Sequence, residues 1–277
     1  MATRHIEIQT QALLQSLFLC PPLVLDLPEA PSLDRNLLGK PQQEAVLNYS
    51  QKLGHLYEDA LTILLESSDK LNLIASSVQI FNENQITLGE LDYLLENKST
   101  GKHIHLELAV KFYLIHHIDG EAHFPGPDPR DNWLNKLKRM QQHQFQMARS
   151  EHGGKLLEEK YAITDIETQQ LIYGRIFDHI AATDFPTPPH MNADCLRSLW
   201  LYCHEWDTYF QDIENVKIIP KHLWPVSFKI NPNLTDTLEE WSKDDLLTEA
   251  QQRCTLIWSE QHQRPVFLTP DRWPEFK

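Results

Sequence analysis

An α/β fold, with helices packed on a sheet, is what this sequence predicts, and three observations predict it. Residues 103–114 alternate with a period of two: Ile104, Leu106, Leu108, Val110, Phe112 and Leu114 fall on one face, and His103, His105, Glu107, Ala109, Lys111 and Tyr113 on the other. Two further strand-like stretches, 73–81 and 85–95, precede it, with turn-forming Asn82-Glu83-Asn84 and Asn97-Lys98-Ser99-Thr100-Gly101 between them. Apolar residues at helical spacing lie on either side of this meander, so a helix, three strands and a helix form the core arrangement.

In chain order, a Pro-punctuated arm over 1–40 comes first. Pro41 suits the first turn of a helix reaching about residue 67, with Val46, Leu53, Tyr57, Ala60 and Leu64 on one side. Glu58 lies about 100° round from Tyr57 and is expected at the edge of the buried face. After the meander, 118–130 is a Gly- and Pro-containing loop, and Asp128-Pro129 reads as cap and first residue of a helix through Ala148, with Trp133, Leu137, Met140 and Phe145 inward. Beyond residue 150 the pattern gives a strand over 170–177, helices over 193–209 and 234–253, and a hairpin over 255–268. Trp200, Trp206, Trp224, Trp241, Trp258 and Trp273 argue for aromatic packing there rather than a loose tail. The resulting division is an arm (1–40), a core (41–180) and a mixed, helix-rich elaboration (181–277) packed on it.

Composition removes several function classes. Cys20, Cys195, Cys203 and Cys254 are widely spaced without a CxxC pair, which speaks against a disulfide framework or a zinc knuckle. Cys195 and Cys203 are expected as buried thiols on a helix. No stretch approaches a membrane span and the N-terminus lacks a signal core, so the expectation is a soluble protein of the reducing cytoplasm with no membrane partner. The net charge of -14 repels polyanions at long range. Residues 130–139 are a local exception, with Arg130, Lys136, Lys138 and Arg139 against Asp131.

Chemistry is concentrated in the hairpin. Glu90 and Asp92 share one face of the second strand, and Glu107 and Lys111 share one face of the third. If register brings the faces together, three carboxylates and an ammonium converge. Crowded carboxylates raise one another's pKa unless a cation offsets them, and a hard divalent ion does so. Mg²⁺ or Mn²⁺ held by Glu90, Asp92 and Glu107 would polarise a phosphodiester and activate water, while Lys111 stabilises charge or helps deprotonate the water. His103 and His105, near the start of the strand, are expected at the surface.

Leu88-Gly89-Glu90-Leu91-Asp92-Tyr93 followed by Glu107-Leu108-Ala109-Val110-Lys111 resembles the paired strands of PD-(D/E)XK nuclease-like proteins. The resemblance implies that Asp92 is the metal-binding Asp, Lys111 the catalytic Lys and Glu58 the upstream helix Glu. It departs at Ala109, where the family usually carries an acid; Glu107 lies one pleat repeat away, about 7 Å along the strand. GELDYLL, HLELAVKFYL, GPDPRDNWLNKLKRMQQHQ, GRIF and LWPVSFK further resemble the bacterial domain-of-unknown-function family 1853, across most of the chain. That likeness implies a helix after the third strand from which Lys136 and Gln144 face the site as nucleic-acid contacts. Three functions follow as expectations: a metal-dependent nuclease acting on DNA or RNA, a nuclease-like binding or assembly module without catalysis, or an acidic scaffold for a protein partner. The oligomeric state is not legible in the sequence.

Overall fold

The computed structural model describes residues 2–42 and 44–275. The arm begins as a helix, α1 (Ala2–Leu19), which buries Ala12, Leu13, Leu14 and Leu17 and stops where Pro21 and Pro22 forbid its continuation. The described residues between 41 and 52 are not helical; α2 runs only over Leu53–Glu66. Two side-chain effects account for the late start. Val46 is 83% exposed and contributes nothing to a helical face, and Asn48 Oδ1 accepts hydrogen bonds from the Ser50 N–H and hydroxyl, a local turn that competes with a helix.

The meander forms as expected: β1 (Leu71–Phe81), β2 (Thr87–Asn97) and β3 (His103–Leu114) pair antiparallel in sequence order. Small strands β4 (His116–Ile118) and β5 (Glu121–His123) make a separate ribbon. The following helix, α3 (Trp133–Gln142), starts four residues later than the Asp128-Pro129 signal suggested. Asp128 spends its carboxylate on the Arg130 N–H and guanidinium, and the helix is capped by Asn132, whose Oδ1 takes the Leu134 N–H at 3.0 Å. Residues 144–149 continue as a 3₁₀ turn (Gln144–Arg149) into α4 (Glu151–Tyr161), capped by Ser150.

β6 (Glu167–His179) then lies parallel to β3 along residues 104–114, and β7 (Leu196–Tyr202) lies parallel to β6. A strand stands at 196–202 where a helix over 193–209 was expected. Leu199 and Leu201 point into one cluster and Trp200 into another, and strands on both flanks bury the segment so thoroughly that its period of two is obscured. Cys195 and Cys203 are buried thiols, but neither lies on an α-helix; a single turn, α5 (Trp206–Tyr209), follows. The expected helix over 234–253 is a 3₁₀ segment, a strand and a shorter helix: after β8 (Asn215–Ile218), β9 (Glu239–Ser242) precedes α6 (Lys243–Ala250), capped by Ser242. The hairpin is present as β10 (Thr255–Ser259) and β11 (Arg264–Thr269).

Apart from the β4–β5 ribbon, the described strands join in one nine-stranded mixed sheet ordered β1-β2-β3-β6-β7-β11-β10-β8-β9, which passes from the expected core into the expected elaboration without a break. α1 and α2 cover one face, against Ile104, Leu106 and Leu114. α3 covers part of the other, through Trp133, Leu137 and Met140 against Tyr113, Ile172 and Ile176. β3, third in the sheet, is therefore covered on both faces, with only residues 108–111 and its first residue half-buried. No helix among the described residues is long and apolar enough to cross a membrane.

Candidate active site

The β2–β3 ladder pairs Leu95 with Ile104, Leu94 with His105 and Tyr93 with Leu106, then ends. At the next position, where Asp92 would face Glu107, the carboxylate of Asp92 accepts the Leu108 N–H at 2.8 Å. A side chain has replaced a backbone carbonyl as the acceptor, and beyond it the edge of β3 is released from β2. The loop before α3 takes up that edge further along, where the Leu114 N–H donates to the Pro125 carbonyl at 2.9 Å.

Asp92 and Glu107 meet at this fork. Burial, and next the negative charge of Glu107, push the Asp92 carboxyl up to about 8, against the opposing effect of the Leu108 N–H; Glu58 and Glu90 add smaller repulsions. Glu107 is only 1% exposed. Its Oε1 lies 3.1 Å from His105 Nε2, and its Oε2 accepts from Gln144 Nε2 at 3.1 Å; Gln144 Oε1 in turn accepts from Lys136 Nζ at 2.7 Å. Burial, then the proximity of Lys111, holds the Lys136 ammonium below the usual lysine range. Lys136 and Gln144 thus face the acids from the segment after β3, but Gln144 is committed to Glu107 and Lys136 to Gln144.

Lys111 lies further along the same face of β3, 23% exposed, and donates to Asp131 Oδ2 at 2.8 Å. Tyr113, two residues on, donates to the other oxygen of Asp131 at 3.4 Å, and burial together with that carboxylate raises its pKa. The backbone at Lys111 is set by Gly174 on β6. A Cβ at that position would fall 1.7 Å from the Lys111 carbonyl oxygen, and the glycine takes φ +143. Glu58 occupies the boundary position expected of it, pairing with His55 at 3.0 Å on α2. Glu90 is turned to the neighbouring strand, where Gln79 donates to it.

The structure therefore brings Asp92 and Glu107 together, with Lys111, Lys136 and Gln144 around them and Glu58 at the margin; Glu90 contributes charge but is held by Gln79. His105 is fully buried rather than on the surface, because Thr168 on β6 and the segment Gln144–Arg149 cover its end of the strand, and its Nδ1 has no partner among the described residues. Sequence reading missed His105 although it shares the Glu107 face. It also missed Asp131, which loop folding delivers and no spacing announces. Among the described residues, no set of three or more His, Cys, Asp or Glu side chains is disposed around a metal position. Two carboxylates are nevertheless what Mg²⁺ commonly takes from a protein, the remaining positions going to water and substrate phosphate. The pair of half-buried Asp92 and buried Glu107, unfavourable as two anions, suits such an ion.

A cleft of about 1150 Å³ opens beside Lys111 and Asp131 and extends between the loop before α3 and the segments carrying Trp224, Trp241 and Trp273.

Fold and site together define a mixed α/β protein with a carboxylate pair at a strand fork, Glu107 buried and Asp92 half-buried, and a large cleft beside Lys111 further along the same strand. Residues 24–270 match the family described as Domain of unknown function (DUF1853), and the chain belongs to that family. Comparison with curated proteins and with solved structures finds no match.

Proposed function

We propose that this chain is a metal-dependent phosphodiesterase acting on nucleic acid, built on a PD-(D/E)XK nuclease-like core. The order α2, β1–β2–β3 antiparallel, α3, then β6 parallel to β3 supports the reading, and the observation that carries it is the pairing of half-buried Asp92 with buried Glu107 at the fork. Asp92 and Glu107 would hold Mg²⁺ or Mn²⁺, which when bound supplies Lewis acidity and an activated water. Gln144 and His105 fix both oxygens of Glu107, so its orientation is set before any ligand arrives. Lys111 places an ammonium at the mouth of the cleft, where it can offset charge developing on a phosphoryl group. Glu58, in the field of Asp92, has a supporting electrostatic role.

Calorimetric titration with Mn²⁺ and Mg²⁺, followed by a screen of DNA and RNA substrates, tests this. Binding should disappear in Asp92→Asn and persist in Lys111→Ala, and cleavage should be lost in both. Cleavage undiminished in both variants refutes the assignment.

A second reading is a nuclease-like module that binds or assembles without cutting. It is favoured by Ala109, which leaves the usual acid position empty, and by Asp131, which occupies the Lys111 ammonium. Metal-free binding of a partner combined with no cleavage under any metal would select it.

A further inference from the structure

The cleft beside Lys111 has features that the acid pair does not use. It is larger than the roughly 300–1,000 Å³ of a typical small-molecule pocket. Its lining carries as many basic as acidic side chains, although acids exceed bases by 14 over the whole chain. The general repulsion of polyanions is therefore relieved along this surface. Within it, Lys111, Arg130 and Arg253 are paired with Asp131, Asp128 and Glu249. Lys221 and Arg272 make no ion pair among the described residues.

Two indoles face the same space. Trp224 is anchored by its Nε1 donating to the Ile219 carbonyl at 3.0 Å and by edge-on packing against Phe112 and Phe267, with ring centroids 5.3 and 4.7 Å away. Its ring is thus fixed without a ligand, and Lys221 Nζ stands 5.8 Å from its centroid. Trp241, half-buried on the edge strand β9, is the second. Aromatic faces beside cations, in a cleft that Lys111 also lines, are the chemistry of an unpaired nucleotide strand: bases stack and phosphates are neutralised in small number. A duplex hides its base faces and relies on a broad basic surface, whereas this chain carries a net charge of -14.

We propose that the cleft binds a single-stranded segment of DNA or RNA, with bases on Trp224 and Trp241 and phosphates on Lys221 and Arg272, and so delivers the strand to Lys111. The proposal rests on the phosphodiesterase reading for the strand's destination, but not for its binding. The test is fluorescence anisotropy of the full chain in EDTA, with a labelled twelve-nucleotide oligothymidylate and a duplex of equal length. Each variant is checked by thermal melting, and cleavage with Mn²⁺ is measured in parallel.

The single strand should bind in preference to the duplex, with a log K against log salt slope of about -1.4 for two phosphates at roughly -0.7 each. Trp241→Ala should weaken binding by about tenfold, as loss of one base stack does. The double variant Lys221→Gln, Arg272→Gln should remove most of the salt dependence, and it keeps the proposal testable if Trp241→Ala does not fold. Absence of single-strand binding, preference for the duplex, or affinity unchanged in these variants overturns the proposal. Binding that depends on these residues without cleavage refutes the phosphodiesterase reading alone, whereas cleavage indifferent to them refutes the cleft assignment alone.

Discussion

At the scale of single residues, Asp92 dominates the behaviour of the site. Its carboxyl is held up to about 8 when folded, whereas in an unfolded chain it would titrate near 3.8. The folded state therefore binds an extra proton between those values, and this group's stabilisation is complete below pH 3.8 and lost progressively as pH rises toward 8. This group should accordingly lower the melting temperature as pH rises between about 4 and 8. Asp92→Asn, which keeps an oxygen for the Leu108 N–H, should flatten that decline and be more stable than the wild type at the alkaline end; scanning fluorimetry across pH would show it, and an unchanged slope would refute it. Mn²⁺ should raise the melting temperature more at pH 8 than at pH 6, because ion and proton compete for the same oxygens. Gly174 is the second controlling residue. Alanine there would collide with the Lys111 carbonyl in a backbone conformation that L side chains avoid, so Gly174→Ala should cost about 3 kcal/mol or more by urea denaturation.

At the scale of elements, legibility followed the strength of local signals. The limits of β3 are those its alternation predicts, because one face meets α1 and α2 and the other meets α3, and each pleat position has its own environment. The start of α3 was misplaced because Asp128 and Asn132 are both competent caps, and only the folded loop, pinned to β3 through Pro125, selects the second. α4 went unread although Ser150 and Ala162, the latter in the left-handed region, mark its ends. Ser150→Ala should destabilise the protein by about 1 kcal/mol through loss of that cap, a value chemical denaturation can resolve. The same reasoning explains β7. A parallel strand flanked on both edges shows a near-continuous apolar run, for which periodicity alone does not separate strand from helix.

At the scale of the whole molecule, the sheet is one piece. β6 is bordered by β3 on one side and β7 on the other, and Arg175 on β6, buried and without a carboxylate partner among the described residues, donates to the carbonyls of Trp224 and Val226 and to Ser198. Burial depresses its pKa to about 10, so those three acceptors, all C-terminal to residue 180, are what make its charge tolerable. A fragment ending at residue 180 should therefore fail to fold cooperatively; a sigmoidal melt with native-like near-ultraviolet dichroism from that fragment would disprove this. The sequence by itself determined the α/β class, the meander, the strand faces bearing Asp92, Glu107 and Lys111, the boundary place of Glu58 and the family to which the chain belongs. Each of these rests on local periodicity or on a contiguous motif. Only the tertiary structure decided that Glu90 turns to Gln79, that His105 is buried against Glu107, that Asp131 reaches Lys111, and that the C-terminal third extends the sheet and walls the cleft. Those outcomes depend on register and on contacts between residues far apart in the chain, where the free energy of a side chain is set by neighbours that no local pattern names.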